Sequence, residues 1–161
     1  MTKPTVQYTT FEELLQRDGY LVYTNVGTSM LPLLRQRKDL IEIRKKDPDK
    51  RCRKYEAVLY KRGQKYILHR ILKVRPRDYV IVGDHCIWPE YGITDNQILG
   101  VMTRVIRDGK PINCTDWKYR LYVHLWCDFY PVRAAILYMK MLSRGAARRI
   151  RKVFSGKEKQ S

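Results

Sequence analysis

Short apolar runs separated by turn residues dominate the first two-thirds of the chain. Runs rich in Val, Ile, Leu and Tyr that are bounded by Gly, Pro and Asp are typical of strands. Before them, Thr10 is a suitable N-cap and Gly19 a suitable end for a short helix. The predicted strands cover residues 20–26, 40–43, 57–60, 66–74, 79–82 and 98–106. The pattern predicts a mainly β fold, in which an N-terminal lead and helix (1–19) precede a small antiparallel β-barrel-like domain (20–112).

The period of the apolar positions changes after Asp116. Trp117, Leu121, Leu125 and Phe129 recur every four residues, which indicates a helix. Pro131 suits the first turn of a second helix. We therefore expect residues 113–161 to form a basic amphipathic helical region.

Charge adds an expectation about partners. The 161 residues hold 33 Lys and Arg against 16 Asp and Glu, which gives a net charge of +17. Basic residues are concentrated in residues 118–161, and such an excess favours an anionic partner. An anionic membrane surface bound through residues 131–154 is one interpretation, and nucleic acid is a second that we rank below it. The alternative is a helical cap that packs on the β domain with a solvated charged face.

Several classes of protein are not indicated. No apolar stretch reaches the length of a membrane span, and the N-terminus lacks the apolar segment of a signal peptide. The four cysteines (Cys52, Cys86, Cys114 and Cys127) form no CxxC pair, so we predict no metal site and expect reduced thiols. No nucleotide-binding fingerprint is present, and we predict no cofactor. These features favour a cytoplasmic protein that can be peripheral on the inner membrane face.

Three residues at the ends of predicted strands suggest hydrolytic chemistry. Ser29 lies in the loop Gly27-Thr28-Ser29-Met30-Leu31-Pro32, His69 in a strand, and Asp84 just after the next strand. A serine hydroxyl needs a base within hydrogen-bond reach to act as a nucleophile, and a carboxylate can orient that base. We predict Ser29 as nucleophile, His69 as general base and Asp84 as orienting acid.

The serine loop also contains candidates for transition-state and substrate binding. The backbone N–H groups of Thr28 and Ser29 could hold the oxyanion, since Gly27 allows a close approach. Gly27, Met30 and Pro32 are predicted to contact the substrate.

Five ordered blocks carry a resemblance to a known superfamily. They are Gly27-Thr28-Ser29-Met30-Leu31-Pro32, Arg37-Lys38-Asp39-Leu40, Glu56-Ala57-Val58-Leu59-Tyr60, Leu68-His69-Arg70-Ile71 and Val82-Gly83-Asp84. Over about residues 20–106 the chain resembles the signal peptidase I and SOS-repressor superfamily of serine proteases. A histidine at position 69 is similar to the endoplasmic reticulum and sporulation-type branch.

The resemblance implies a serine endopeptidase that cleaves a precursor or leader peptide bound in extended form. In that branch the acid sometimes lies several residues later, so Glu90 is the alternative to Asp84. The family often has a serine where this chain has Gly27, and it carries a membrane anchor before the nucleophile, where this chain has only residues 1–19. The alternative function is a catalytically inactive module that binds nucleic acid or a membrane through the basic tail.

Overall fold

The computed structural model describes the backbone of residues 10–157 and the side chains of residues 10–143. These residues form an eight-stranded sheet with one α-helix before it and two after it. The helices are α1 (Phe11–Asp18), α2 (Trp117–Asp128) and α3 (Tyr130–Lys157). The strands are β1 (Tyr20–Thr24), β2 (Leu40–Lys45), β3 (Ala57–Arg62), β4 (Lys65–Val74), β5 (Tyr79–Val82), β6 (Glu90–Ile93), β7 (Ile98–Arg107) and β8 (Lys110–Asn113).

The strands are antiparallel, in the order β1-β2-β7-β3-β4-β5-β6, and β8 pairs with β7. Within residues 10–157 no pairing joins β1 to β6, so the sheet is not closed. The predicted mainly β fold with C-terminal helices is confirmed. The sheet stays open between its edge strands β1 and β6.

Two short strands are absent from the sequence prediction. β6 falls in a stretch expected to be an irregular loop, and Gly92 within it has a φ of 75°. β8 contains Pro111, which an edge strand tolerates because its N–H side needs no partner. Asp108 and Gly109, with φ values of 50° and 76°, form the tight turn that joins β8 to β7.

Helix α1 ends where the sequence predicts. The Thr10 side chain accepts from the Glu13 N–H, and the Glu13 side chain accepts from the Thr10 N–H, which forms a capping box. Gly19 ends the helix in the left-handed conformation, with a φ of 76°.

The core on one side of the sheet is shared with the serine loop and with α2. Met30 and Leu34 of the loop are fully buried in it, as are Tyr119, Val123 and Cys127 of α2. Burying one such side chain contributes about 1.5–3 kcal/mol relative to leaving it in water. The loop and α2 are therefore fixed to the sheet by the same apolar cluster.

The apolar stripe that predicts α2 lies on its opposite, exposed face. Further exposed apolar side chains follow on α3, and we call the two sets together the exposed helix face. Its side chains are 51–69% exposed: Trp117, Leu121, Leu125, Phe129, Val132, Ile136 and Met139. On α3 every residue from 138 to 143 is exposed, and the side chains of residues 144–154, part of the predicted membrane-binding segment, lie outside the described residues. In the described part of the chain, no helix is long and apolar enough to cross a bilayer.

Candidate active site

Ser29 lies in the loop between β1 and β2, which is held at its base. The Arg37 N–H donates to the Asn25 carbonyl at 2.8 Å, and the Leu34 N–H donates to the Met30 carbonyl at 2.9 Å. The Asn25 amide donates to the Gly27 carbonyl at 2.8 Å. The Leu31–Pro32 peptide bond is cis. Ser29 is half-buried, between exposed Thr28 and buried Met30.

The far end of this loop is fixed by a buried carboxylate. Asp39 accepts from Arg35 Nε at 2.9 Å and from Arg107 Nη2 at 2.8 Å. Its burial opposes ionisation, but the hydrogen bonds from the two arginines lower the pKa of Asp39 to about 2. The network ties the loop to β7 and keeps the Ser29 backbone in one place.

His69 and Ser29 meet at Gly83. His69 is buried in the middle of β4, and Gly83 follows the last residue of β5. A Cβ atom on Gly83 would lie 2.7 Å from the Ser29 carbonyl oxygen and 3.0 Å from His69 Nε2. The His85 N–H donates to the same Ser29 carbonyl at 2.7 Å. Since both atoms lie within 3.0 Å of one point, only a residue without a side chain fits between them.

The reaction geometry is not fully assembled in this state. Among the described residues, no hydrogen bond joins Ser29 Oγ to His69 Nε2. Catalytic hydrogen bonds in proteins without substrate are often long and shorten only when substrate binds. Among the described residues, these contacts place the His69 imidazole near the Ser29 carbonyl oxygen, without a hydrogen bond to the Ser29 hydroxyl.

The other ring nitrogen of His69 faces a carboxylate, that of Glu90. His69 Nδ1 lies 3.2 Å from Glu90 Oε1 and 3.3 Å from the Tyr60 hydroxyl oxygen. The Tyr60 hydroxyl donates to Glu90 Oε1 at 2.9 Å, and Arg62 Nη1 donates to Glu90 Oε2 at 2.5 Å. Glu90 is therefore itself held in place, as an orienting acid must be.

The surroundings of His69 favour its neutral form. Burial lowers the pKa of the imidazole below 6.5, and the negative charge of Glu90 opposes this without reversing it. A neutral imidazole is the form that can accept a proton from a hydroxyl group.

The register of the sheet explains why Glu90 and not Asp84 reaches His69. Glu90 pairs with Ile81, and Ile81 pairs with Ile71, two residues from His69. Paired residues and residues two apart share one face of a sheet, so Glu90 and His69 lie on the same face. Tyr60 shares that face as well, because it lies two residues from Val58, the direct partner of His69.

Asp84 lies on the other face and makes a different interaction. Both of its carboxylate oxygens accept from Arg70 at 2.8 Å, and the Tyr122 hydroxyl donates to it at 3.0 Å. The Asp84 and Arg70 side chains are each 0% exposed. The first-choice acid of the sequence analysis therefore contacts Arg70 and not His69, whereas the alternative, Glu90, contacts His69.

The remaining predicted site residues differ in accessibility. Within the described chain, the backbone N–H groups of Thr28 and Ser29 donate to no other residue, which leaves them available to an oxyanion. Gly27 and Pro32 are exposed, whereas Met30 is 0% exposed. The prediction that Met30 contacts substrate is therefore corrected: its side chain packs in the core and anchors the loop.

Three residues of this region are absent from the sequence prediction. Tyr60 and Arg62 hold Glu90, and their alternate positions on β3 could have indicated a shared face with His69. Cys86 is half-buried, with its Sγ atom 2.7 Å from the position of a Gly83 Cβ, and burial raises the pKa of its thiol. The described residues contain no group of three or more His, Cys, Asp or Glu side chains that could hold a metal ion.

Comparison with known proteins adds no family assignment. The sequence matches no protein-family model. It also matches no curated protein.

Proposed function

We propose that this protein is a serine endopeptidase in which Ser29 is the nucleophile, His69 the general base and Glu90 the acid that orients His69. The observation that carries the proposal is that the Ser29 carbonyl oxygen and His69 Nε2 both lie next to Gly83, with Glu90 on the far nitrogen of the imidazole. The resemblance of the five sequence blocks to serine proteases of the signal peptidase type supports it.

In the proposed reaction, the Ser29 hydroxyl loses its proton to His69 Nε2 while Oγ forms a bond with the carbonyl carbon of the peptide. The carbonyl oxygen becomes an oxyanion that accepts from the N–H groups of Thr28 and Ser29. When the C–N bond breaks, His69 returns the proton to the leaving amine. His69 then takes a proton from water as the water oxygen bonds to the acyl carbon, and it gives that proton to Ser29 Oγ as the ester bond breaks. Glu90 stabilises the imidazolium in both halves of the reaction.

The open side of the sheet supports binding of the substrate as an added strand. Ser29 follows edge strand β1, and Glu90 is the first residue of edge strand β6. A peptide in extended form could pair with an unpaired edge through its backbone, which depends little on its sequence. Its scissile bond would then lie beside the Ser29 hydroxyl.

The test is cleavage of a proteome-derived peptide library, read by mass spectrometry. The wild-type protein is expected to cut a defined set of peptides, and Ser29→Ala is expected to cut none. Ser143→Ala, which changes an exposed serine on α3, is the matched control and should cut as the wild type does. Undiminished cleavage by Ser29→Ala would remove the proposal.

We further propose that the exposed helix face binds an anionic membrane surface. Seven apolar side chains of this face are 51–69% exposed. Residues 129–157 contain seven Lys and Arg besides the buried Arg133, and no Asp or Glu. Apolar side chains next to basic ones match the interface of an anionic bilayer, where each contributes to binding. Most of the seven are aliphatic, and they offer nucleic-acid bases few rings to stack on, so this observation favours lipid over nucleic acid.

A further inference from the structure

Arg133, on the first turn of α3, is a buried cation without a counter-charge. The residue is 7% exposed, and its Nε, Nη1 and Nη2 atoms are all buried. None of them has a hydrogen-bond partner in the described part of the chain. The guanidinium lies 5.6 Å from the centre of the Trp126 ring and 5.1 Å from that of Tyr130. Aromatic rings stabilise a cation but accept none of the five N–H groups.

Arg70, which is also buried, shows the usual arrangement of a buried arginine. Arg70 donates to Asp84 through Nε and Nη2 at 2.8 Å, and through Nη1 to the Tyr55 carbonyl and the Tyr119 hydroxyl. Leaving a buried charged donor unpaired costs several times what a neutral unpaired group costs. The Arg133 donors are free but closed to solvent, so a partner from outside the chain can reach them only when a covering side chain, such as Tyr130, moves aside.

Arg133 lies beside the candidate active site. The rings that flank it hold both ends of the loop after Gly83: Trp126 Nε1 donates to the Asp84 carbonyl at 2.7 Å, and the Tyr130 hydroxyl donates to the Ile87 carbonyl at 2.6 Å. The same loop contains His85, whose N–H donates to the Ser29 carbonyl. It also contains Cys86, where burial raises the pKa of the thiol and the charge of Arg133 acts in the opposite direction. The cation therefore sits on the Cys86 side of the site.

The acids of this region already have partners. Asp84 accepts from Arg70 and Tyr122, and Glu90 accepts from Arg62 and Tyr60. Asp128, the acid of α2, accepts from Tyr55 and lies 3.1 Å from His124. Arg133 is thus not part of any of these pairs.

We propose that Arg133 binds a carboxylate of the substrate peptide and that the enzyme selects peptides with an acidic group at one position near the scissile bond. This inference rests on the proposed endopeptidase function. A carboxylate matches the fork of N–H groups, and its single charge neutralises a single buried guanidinium. The carboxylate can be that of an Asp or Glu side chain or of the peptide's own C-terminus.

The experiment compares cleavage by the wild type and by Arg133→Met. A proteome-derived library is digested by each full-length protein, and the residues around each cut are counted. The wild type is expected to enrich Asp or Glu at one position, or cuts at a fixed distance from the C-terminus. Arg133→Met should lose that enrichment, whereas Arg120→Met, which changes an exposed arginine on α2, should keep it.

Matched peptides give the magnitude and separate binding from folding. For the best acidic peptide, Arg133→Met should lower kcat/KM roughly 100-fold, since a charge-assisted pair is lost. For the same peptide with Gln or Asn in place of the acid, the wild type and the variant should have equal kcat/KM, which shows that the variant is folded. An amidated version distinguishes a terminal carboxylate from a side chain.

Three outcomes overturn the inference, and they show whether the peptidase proposal fails with it. Cleavage by the wild type without an acidic preference, or an undiminished preference in Arg133→Met, removes the role of Arg133 and leaves the peptidase intact. No cleavage of any peptide by the wild type removes the peptidase proposal, and the role of Arg133 falls with it.

Discussion

Removal of the Glu90 carboxylate should separate catalysis from folding at this site. Glu90→Gln keeps the shape of the side chain but removes the negative charge 3.2 Å from His69 Nδ1. At an effective dielectric constant of about 20, unit charges at that distance attract by about 5 kcal/mol. Arg62 already offsets part of the Glu90 charge, so we expect about half of that value. The corresponding loss in kcat is roughly 100-fold.

The matched variant is Asp84→Asn, which changes the acid on the other face of the sheet. It removes the counter-charge of Arg70, a side chain with 0% exposure. Leaving one buried charge unpaired should lower the free energy of unfolding by about 3–5 kcal/mol. The Tm should fall by roughly 10 °C. Glu90→Gln should lower the free energy of unfolding by only about 1 kcal/mol, because Arg62 and Glu90 are partly exposed.

The assay is the kcat of a peptide taken from the library digest, measured below the Tm of each variant, with the Tm from circular dichroism. The expected pattern is a low kcat with a nearly unchanged Tm for Glu90→Gln, and the reverse for Asp84→Asn. If Asp84→Asn loses its kcat while keeping its Tm, and Glu90→Gln keeps full activity, then the assignment of the orienting acid is wrong.

Three further predictions concern Gly83, the pH profile and the exposed helix face. Gly83→Ala puts a Cβ atom 2.7 Å from the Ser29 carbonyl oxygen and should lower kcat at least 100-fold by moving Ser29 away from His69; an unchanged kcat would contradict this packing. The pKa of His69 in the folded protein lies below 6.5, so kcat should fall only as the pH drops below that value. Glu90 raises this pKa, so Glu90→Gln should move the fall in kcat to still lower pH. The unfolded chain binds the His69 proton more readily, so the free energy of unfolding should also decline below pH 6.5. In flotation with vesicles of anionic and of neutral lipid, the protein should float only with anionic vesicles, and Leu125→Glu with Phe129→Glu should abolish this; equal binding to both lipids would refute a charge-assisted surface.

The sequence predicts most strands and both candidate reaction partners. A strand with a continuous apolar run, such as β5, is detectable because burial on both faces requires it. Ser29 and His69 are detectable because each interrupts an apolar context with a reactive side chain. Their meeting point at Gly83 depends on the closeness of two loops that are far apart in the chain, which no local pattern encodes.

The assignment of the acid shows what limits the prediction. Asp84 follows β5, the strand directly after the strand of His69, whereas Glu90 begins β6. The hairpin between β4 and β5 brings Asp84 and His69 near each other. Side chains alternate between the faces of a sheet, however, so a shift of one residue changes every neighbour. The bulge between Ile71 and Lys73 shifts the register of this hairpin, and it cannot be read from the apolar pattern.

The apolar pattern of the sequence also does not identify the buried face of α2. The most apolar positions of the helix, such as Leu121 and Leu125, are exposed, while Tyr119 and Tyr122 turn inward. Their hydroxyl groups contact the buried pair of Arg70 and Asp84. A helix that covers an ion pair must bring hydrogen-bonding groups to it, so the stripe of highest hydropathy does not mark the packed side.

The contact of α2 with Arg70 and Asp84 makes the helix inseparable from the sheet. A chain that ends after β8 would expose this ion pair to solvent and would lose Val123 and Cys127 from the core. The same helix holds the Asp84 carbonyl through Trp126, next to the glycine on which serine and histidine converge. Trp126 therefore links α2 directly to the residue that follows Gly83.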